Sequence, residues 1–375
     1  MRNLFYLLLI VLFSACGSVS NPEEAVNNLQ AHPDVSTAQL DSIFQTLSYF
    51  PNQTQLAIAF IDKQTTTFYG AKRVNDTLKT IDNNGRAFEI GSLSKVFTST
   101  LLADLAVDQK LQLDHPIQKY LDFPLNDSLQ ITFKELSNHT SGLPRIPPGF
   151  VWGSLWHLDN PYKDYDQEKL IEYLRTDMAL NEEQDSQFQY SNIGAGILGY
   201  VLTQIEEASY EKMLQQRIFG PLDMRNSTTR RKLVADILVQ GLNKRGNPTS
   251  NWDLGAIPGA GAILSTAGDL AKYVQANFNP DNKIMKLQQK KTYSVNESRD
   301  MALGWFIRKQ SPGLRLHWHS GGTGGYRSLM VLDIDRKKGV VVLSNISSGH
   351  DHAARISSLG FALLNDMRAA EMPDN

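Results

Sequence analysis

The spacing of apolar and polar positions divides the chain into an early strand region, a long helical middle and a late strand region. Residues 36–47 carry apolar side chains at helical spacing behind Ser36, which suits a helix cap. Residues 56–62 and 65–72 read as two strands around a short polar turn. A helix is predicted over 92–105, and from there to about Val274 helical patterns and long loops rich in proline and glycine dominate, without a regular strand series. Strand patterns return at 314–319, 326–333 and 339–344, and 353–367 reads as a closing helix. The first two and last three strands are expected to form one antiparallel five-stranded sheet flanked by helices. This is an α+β fold in which a mostly helical insertion splits the sheet domain, with expected bounds of 36–100 and 290–370 for the sheet domain and 101–289 for the helical one.

The first residues have a different pattern. Arg2 supplies a positive end, residues 4–13 form an apolar run too short to span a bilayer, and Ser14 and Ala15 lead to Cys16. Residues 1–15 are therefore expected to be an export signal. The order Phe13-Ser14-Ala15-Cys16 resembles a bacterial lipobox, which implies that Cys16 becomes the lipidated first residue and residues 16–35, rich in Asn, Ser and Pro, a tether. The expected place is the bacterial cell envelope, anchored to the membrane and facing the periplasm or exterior. The alternative is a small apolar residue near an ordinary cleavage site. Cys16 is the one cysteine of the chain, so no internal disulfide can form and the exported protein must rely on its core.

Composition narrows the class. With 375 residues, 41% hydrophobic and 20% charged, the chain can bury a substantial core. Its 37 basic and 39 acidic residues give a formal charge of −2, which offers no field to gather phosphates, so nucleic acid is not an expected partner.

The stretch Phe88 to Phe97 holds the first candidate chemistry. Ser92 and Lys95 are three apart and share a face on a helix, so the lysine can reach the hydroxyl. Partly desolvated by Ile90, Leu93, Val96 and Phe97, Lys95 would lose its proton more easily than in water and could activate a serine that is otherwise a poor nucleophile. The longer string Phe88-Glu89-Ile90-Gly91-Ser92-Leu93-Ser94-Lys95 resembles the active-site signature of class C β-lactamases and their penicillin-binding relatives. That resemblance implies a β-lactamase/transpeptidase-like fold and two further motifs. Tyr190-Ser191-Asn192, just before the apolar run 193–202, matches the Tyr-x-Asn motif: the phenol would shuttle a proton and the Asn192 amide would meet a substrate amide. His319-Ser320-Gly321 looks like the His-Thr-Gly version of the third motif, with serine in place of threonine, and would bind substrate on a strand edge. The resemblance further implies an oxyanion hole from the backbone N–H groups of Ser92 and Gly322.

Shorter likenesses, among them 136–144, 218–224, 259–270 and 303–305, extend this resemblance over about 55–367 and read as structural. Gly194-Ala195-Gly196-Ile197-Leu198-Gly199 satisfies G-x-G-x-x-G but follows the Tyr190 loop rather than a strand, which points to close helix packing. His317 with His319, and His350 with His352, lack a third ligand pattern, so no metal is expected. The implied reaction is attack by Ser92 on an amide or ester carbonyl, with Lys95 and Tyr190 managing the proton through an acyl-serine, and it needs no cofactor. Four readings stay open for this small-molecule hydrolase: β-lactamase, D-amino-acid peptidase, esterase of the same fold, and non-hydrolytic penicillin-binding sensor. A histidine at 319 weakens the first, because it lacks the fixed cation of a lysine; Arg315 or Arg327 would have to supply it. The oligomeric state is not legible.

Overall fold

The computed structural model describes residues 22–146, 159–311 and 313–370. The expected export signal and Cys16 lie outside them.

Twelve strands and nine α-helices carry the described chain. Ten strands form one sheet in the order β1-β4-β3-β2-β12-β11-β10-β9-β8-β7. Its centre is β3 (Thr65–Val74), β2 (Gln55–Asp62), β12 (Lys338–Ser344), β11 (Arg327–Asp333) and β10 (Leu314–Gly322), the strands expected from the sequence. The sheet is wider than the expected five strands, because β4 (Thr77–Ile81) and β1 (Val26–Asn28) extend one end and β9 (Phe306–Ser311), β8 (Arg299–Met301) and β7 (Tyr293–Asn296) the other. These flanking strands are three to six residues long and lack the apolar runs of the centre; β8 and β9 also carry charged residues, as edges that must resist further pairing often do. All neighbours are antiparallel except β1 and β4, which run parallel with Val26 opposite Thr77. The part of the tether stretch that is described, from Pro22, is thus seated on the sheet edge rather than free.

Strand alternation divides the sheet's apolar residues between two cores. Leu56, Ile58, Phe60, Val340 and Val342 face one side, where α1 (Thr37–Leu47) and α9 (Ala354–Ala369) cover them with Ile43, Leu47, Ile356 and Leu363. Ala57, Ala59, Ile61, Val341 and Leu343 face the other side and join the core of α2 (Ser94–Val107) and α7 (Ala267–Asn277). Beyond α2 lie α3 (Phe133–Asn138), α4 (Gln167–Glu172), α5 (Asn192–Glu206) and α6 (Tyr210–Leu214), and α8 (Lys283–Gln289) leads back to the sheet. The G-x-G-x-x-G stretch lies inside α5, where a Cβ on Gly196 would come within 2.4 Å of the Ile257 side chain, so its glycines serve close packing.

Two features place the serine segment. Strand β5 (Ala87–Glu89) pairs with β6 (Leu264–Thr266), which ties its entry to the helical region. Ser92 then sits in a short 3-10 turn, Gly91–Leu93, ahead of α2, rather than in the α-helix expected from residue 92. Gly91 has φ of +52°, a backbone conformation that glycine adopts at little cost and that turns the chain from strand into helix.

Candidate active site

The 3-10 turn that carries Ser92 packs against the end of β10. A Cβ on Gly321 would meet the Ile90 carbonyl oxygen at 1.8 Å, and one on Gly91 would meet the Gly322 nitrogen at 2.7 Å, so only glycines let the two backbones run this close. Ser328 on β11 donates to the Ile90 carbonyl at 2.8 Å and fixes the contact from the next strand.

The β10 edge beside this contact is open. Pairing with β9 stops at Trp318 opposite Phe306, whereas pairing with β11 runs on to Gly322 opposite Arg327. Because Thr323 donates to the Tyr326 carbonyl at 2.9 Å, the Gly322–Arg327 pair falls between hydrogen-bonded pairs, and the Gly322 N–H points away from β11 towards the free edge. Ser92, in the first turn of a 3-10 helix, has an N–H without an acceptor inside that turn. The two amides expected to face an oxyanion thus flank one position.

Lys95 is buried, and its Nζ lies 3.1 Å from Ser92 Oγ and donates to the Ala260 carbonyl at 2.7 Å. Burial, aided by the positive charge of Arg145, holds its pKa well below the usual lysine range. A neutral amine in this position has one N–H on Ala260 and its lone pair free for the serine proton. Tyr190 hydrogen-bonds to Ser92, and burial pushes its phenol up to about 12. Lys95 Nζ lies 5.0 Å and the Arg145 guanidinium 5.2 Å from the centroid of the Tyr190 ring, so the ring meets one permanent cation and the amine of the lysine.

The Tyr190 loop is held by residues that the sequence reading assigned only to structure or did not single out. His139 closes α3 in the left-handed region at φ 64°, packs its ring 4.5 Å from that of Tyr190, and accepts the Ser191 N–H on Nδ1 at 3.3 Å. The carbonyls of His139 and Arg145 accept from Gln189 and Asn192 at 2.8 and 2.9 Å. Ser191 caps α5 through its side chain, and Asn192 begins that helix. The Asn192 amide N–H is engaged with the Tyr162 hydroxyl at 3.2 Å, which leaves its carbonyl oxygen for other donors.

On β10 the expected residues divide between the two faces. His319 points towards Tyr190, with ring centroids 6.4 Å apart, whereas Ser320 lines a groove on the α9 side. Burial and the nearby Lys95 push the His319 pKa down to about 3, so the ring is neutral. Its Nδ1 lies 2.8 Å from the Ser320 carbonyl, an obligatory acceptor, so Nδ1 carries the proton and Nε2 is a buried acceptor without a protein partner among the described residues. Arg327 is partly buried and adjoins Gly322, where its Nη1 would lie 3.3 Å from an added Cβ. Arg315 is exposed, paired with Lys309 on β9 and four residues before His319, and it stands away from Ser92. Among the described residues no group of three or more His, Cys, Asp or Glu is placed to hold a metal ion.

Two outcomes follow from this geometry. The Arg145 charge disfavours the ammonium form of Lys95, so Arg145→Met should move the Lys95 titration upward in pH, still short of an exposed lysine because burial remains. Carbon-13 NMR titration of isotopically labelled lysines reads this directly, and an unmoved Lys95 titration refutes the coupling. Gly321→Ala should force β10 away from Ile90, lowering stability by about 1–3 kcal/mol in urea unfolding and abolishing reaction at Ser92. Wild-type reaction in that variant would show that the close contact is dispensable.

The chain is similar to known proteins over nearly all of its described length. A D-alanyl-D-alanine-carboxypeptidase/endopeptidase, AmpH, of Escherichia coli is 26% identical, with 89% of this chain and 90% of the relative covered. A solved beta-lactamase/D-alanine carboxypeptidase from Pseudomonas syringae superposes with a TM-score of 0.71 at 18% identity, covering 88% of this chain and 97% of its own. One from Yersinia pestis, complexed with citrate, gives 0.70 at 20% identity, covering 89% and 100%. The Beta-lactamase family pattern matches residues 51–363, which contain the serine turn, the Tyr190 loop and the β10 edge; the chain belongs to the Beta-lactamase family.

Proposed function

We propose that the protein is an exported serine hydrolase that opens amide bonds through an acyl-serine, on carboxylate-bearing substrates of the β-lactam or D-amino-acid peptide type. The observation that carries this reading is the dehydrated Lys95 Nζ 3.1 Å from Ser92 Oγ. As Ser92 Oγ attacks the carbonyl carbon, its proton passes to the Lys95 lone pair, and the charge that grows on the carbonyl oxygen meets the N–H groups of Ser92 and Gly322. Tyr190, kept protonated by its raised pKa, gives its proton to the leaving nitrogen and regains one from Lys95. The C–N bond breaks, the amine leaves, and Ser92 carries the acyl group. Water then attacks the ester, its proton passing through Tyr190 to Lys95, and as the ester C–O bond breaks Lys95 returns that proton to Ser92 Oγ and the acid departs.

The substrate class rests on charge. His319 is neutral and supplies no cation, but Arg327 beside Gly322 stands where a carboxylate next to the scissile bond would lie. The carboxypeptidase/endopeptidase activity of the Escherichia coli relative supports the peptide arm.

Intact-protein mass spectrometry with a penicillin, a D-Ala-D-Ala peptide and a neutral p-nitrophenyl ester tests the reading. The wild type should acylate and turn over a carboxylate-bearing substrate, and Ser92→Ala should do neither. Acylation of Ser92→Ala overturns the nucleophile. Turnover of the ester alone makes the protein an esterase, and a penicillin adduct that persists makes it a non-hydrolytic binder.

Export rests on the N-terminal residues, which put the protein in the cell envelope with Cys16 lipidated after cleavage. A fatty-acid probe should label the wild type in bacterial cells and leave Cys16→Ser unlabelled; an unlabelled wild type refutes the anchor.

A further inference from the structure

Helix α3 ends at a position that glycine ordinarily fills. His139 stands there in the left-handed region, φ 64° and ψ 37°, where its Cβ is strained, and its ring is buried. The contacts of that one residue offset both costs. Its backbone carbonyl accepts the Gln189 N–H at 2.8 Å, its Nδ1 accepts the Ser191 N–H at 3.3 Å, and its ring lies 4.5 Å from that of Tyr190 between them. His139 therefore grips Tyr190 from both sides along the chain and across the face of the ring. The grip is tied in turn to the helix that carries Lys95. In the last turn of α3 the Ser137 hydroxyl lies 2.8 Å from that of Ser99, which is one turn beyond Lys95 on α2.

A carboxylate or a side-chain amide could also accept the Ser191 N–H, so the electrostatic surroundings decide which acceptor suits the site. Burial keeps the His139 ring neutral, and Lys95 on α2, His319 on β10 and Arg145 further along the same loop each add to that effect. Coupling between charges is mutual. A negative charge at position 139 would therefore favour the ammonium form of Lys95 and remove the lone pair that faces Ser92. A neutral imidazole supplies the acceptor and leaves the amine uncharged. We propose that His139 is the positioning residue of Tyr190, an uncharged acceptor that fixes the phenol beside Ser92 without giving Lys95 a counter-charge. This deepens the hydrolase reading and rests on it for the role of Tyr190; the need for an uncharged acceptor can be read without turnover.

Asparagine and aspartate separate charge from shape, because they are nearly isosteric, tolerate the left-handed conformation and offer an oxygen close to the place of Nδ1. Phenylalanine keeps a ring and removes the acceptor. In protein labelled with nitrogen-15 serine, the Ser191 amide should stay protected from hydrogen exchange in His139→Asn. In His139→Phe it should exchange at least about tenfold faster, measured against the other serine amides. In His139→Asp the Lys95 titration, followed by carbon-13 NMR, should lie higher in pH than in His139→Asn. Acylation by a penicillin at neutral pH should fall about 10²-fold in His139→Phe, the lower end of what proton transfer contributes, and should be largely restored in His139→Asn. In His139→Asp it should recover only as the pH is raised past the shifted Lys95 titration. In a Tyr190→Phe background, His139→Phe should add little further loss, since it acts through the phenol. Additive losses there mark a structural role alone and overturn the proposal. So does a Lys95 titration that is the same in His139→Asp and His139→Asn, a comparison that holds even if His139→Phe does not fold. A wild type that no substrate acylates sinks the hydrolase reading alone, because the Ser191 exchange and the Lys95 titration still decide whether position 139 must be an uncharged acceptor.

Discussion

The contact between the glycines of β10 and the backbone on either side of Gly91 is the constraint on which the site depends. Side chains would hold these segments several ångströms apart; without them, the serine turn lies directly against the open strand edge. The positions of the Ser92 and Gly322 amides are then set by backbone packing, with no rotamer left to choose. Donors fixed in this way need little reorganisation when charge develops opposite them, which is where backbone oxyanion sites gain most of their effect. The Ser328 hydroxyl on Ile90 makes the contact part of the central sheet rather than of a loop.

Around that contact the protein has assembled ionisable groups and removed their charge. Lys95, His139 and His319 are all buried, and desolvation is the largest influence lowering each pKa. The effects reinforce one another: Lys95 also disfavours protonation of both histidines, and Arg145 disfavours it at Lys95 and His139. The same burial raises the Tyr190 pKa, so the centre holds a neutral amine, neutral imidazoles and a neutral phenol. Among the described residues named around that contact, permanent charge stands on Arg145 and Arg327 at the rim.

What the sequence made legible, and what it hid, follows from how local each signal is. The Ser92–Lys95 pair, the Tyr190 motif and the glycines after His319 are short strings whose chemistry lies within a few residues. The central strands read clearly because runs such as Val340 to Leu343 are buried on both faces. Strands β7 to β9 escaped because Arg299, Lys309 and their charged neighbours carry no apolar run. His139 and Arg145 were not read as site residues because their roles arise where their loop meets Gln189 to Asn192, some fifty residues away. Ala260 was equally hidden: it contributes a carbonyl to Lys95, and a backbone acceptor leaves no mark in the residue type.

The placement of arginines also answers a difficulty that the proposed carboxylate-bearing substrate would create for Lys95 acting as base. An anion brought near Lys95 favours its ammonium form, raising the pKa that burial has lowered and weakening the base when it is needed. A lysine at position 319 would offset that charge, but as a compact, strongly hydrated ion it would require costly dehydration in a fully buried position. The neutral His319 avoids that cost, and the cation stands instead on Arg327 at the groove, where a guanidinium is less strongly hydrated and can pair with a carboxylate through two donors. A substrate anion held there is neutralised before its field reaches Lys95. A histidine that supplies no cation is therefore consistent with the proposed carboxylate recognition, provided the charge is moved along the strand edge rather than lost.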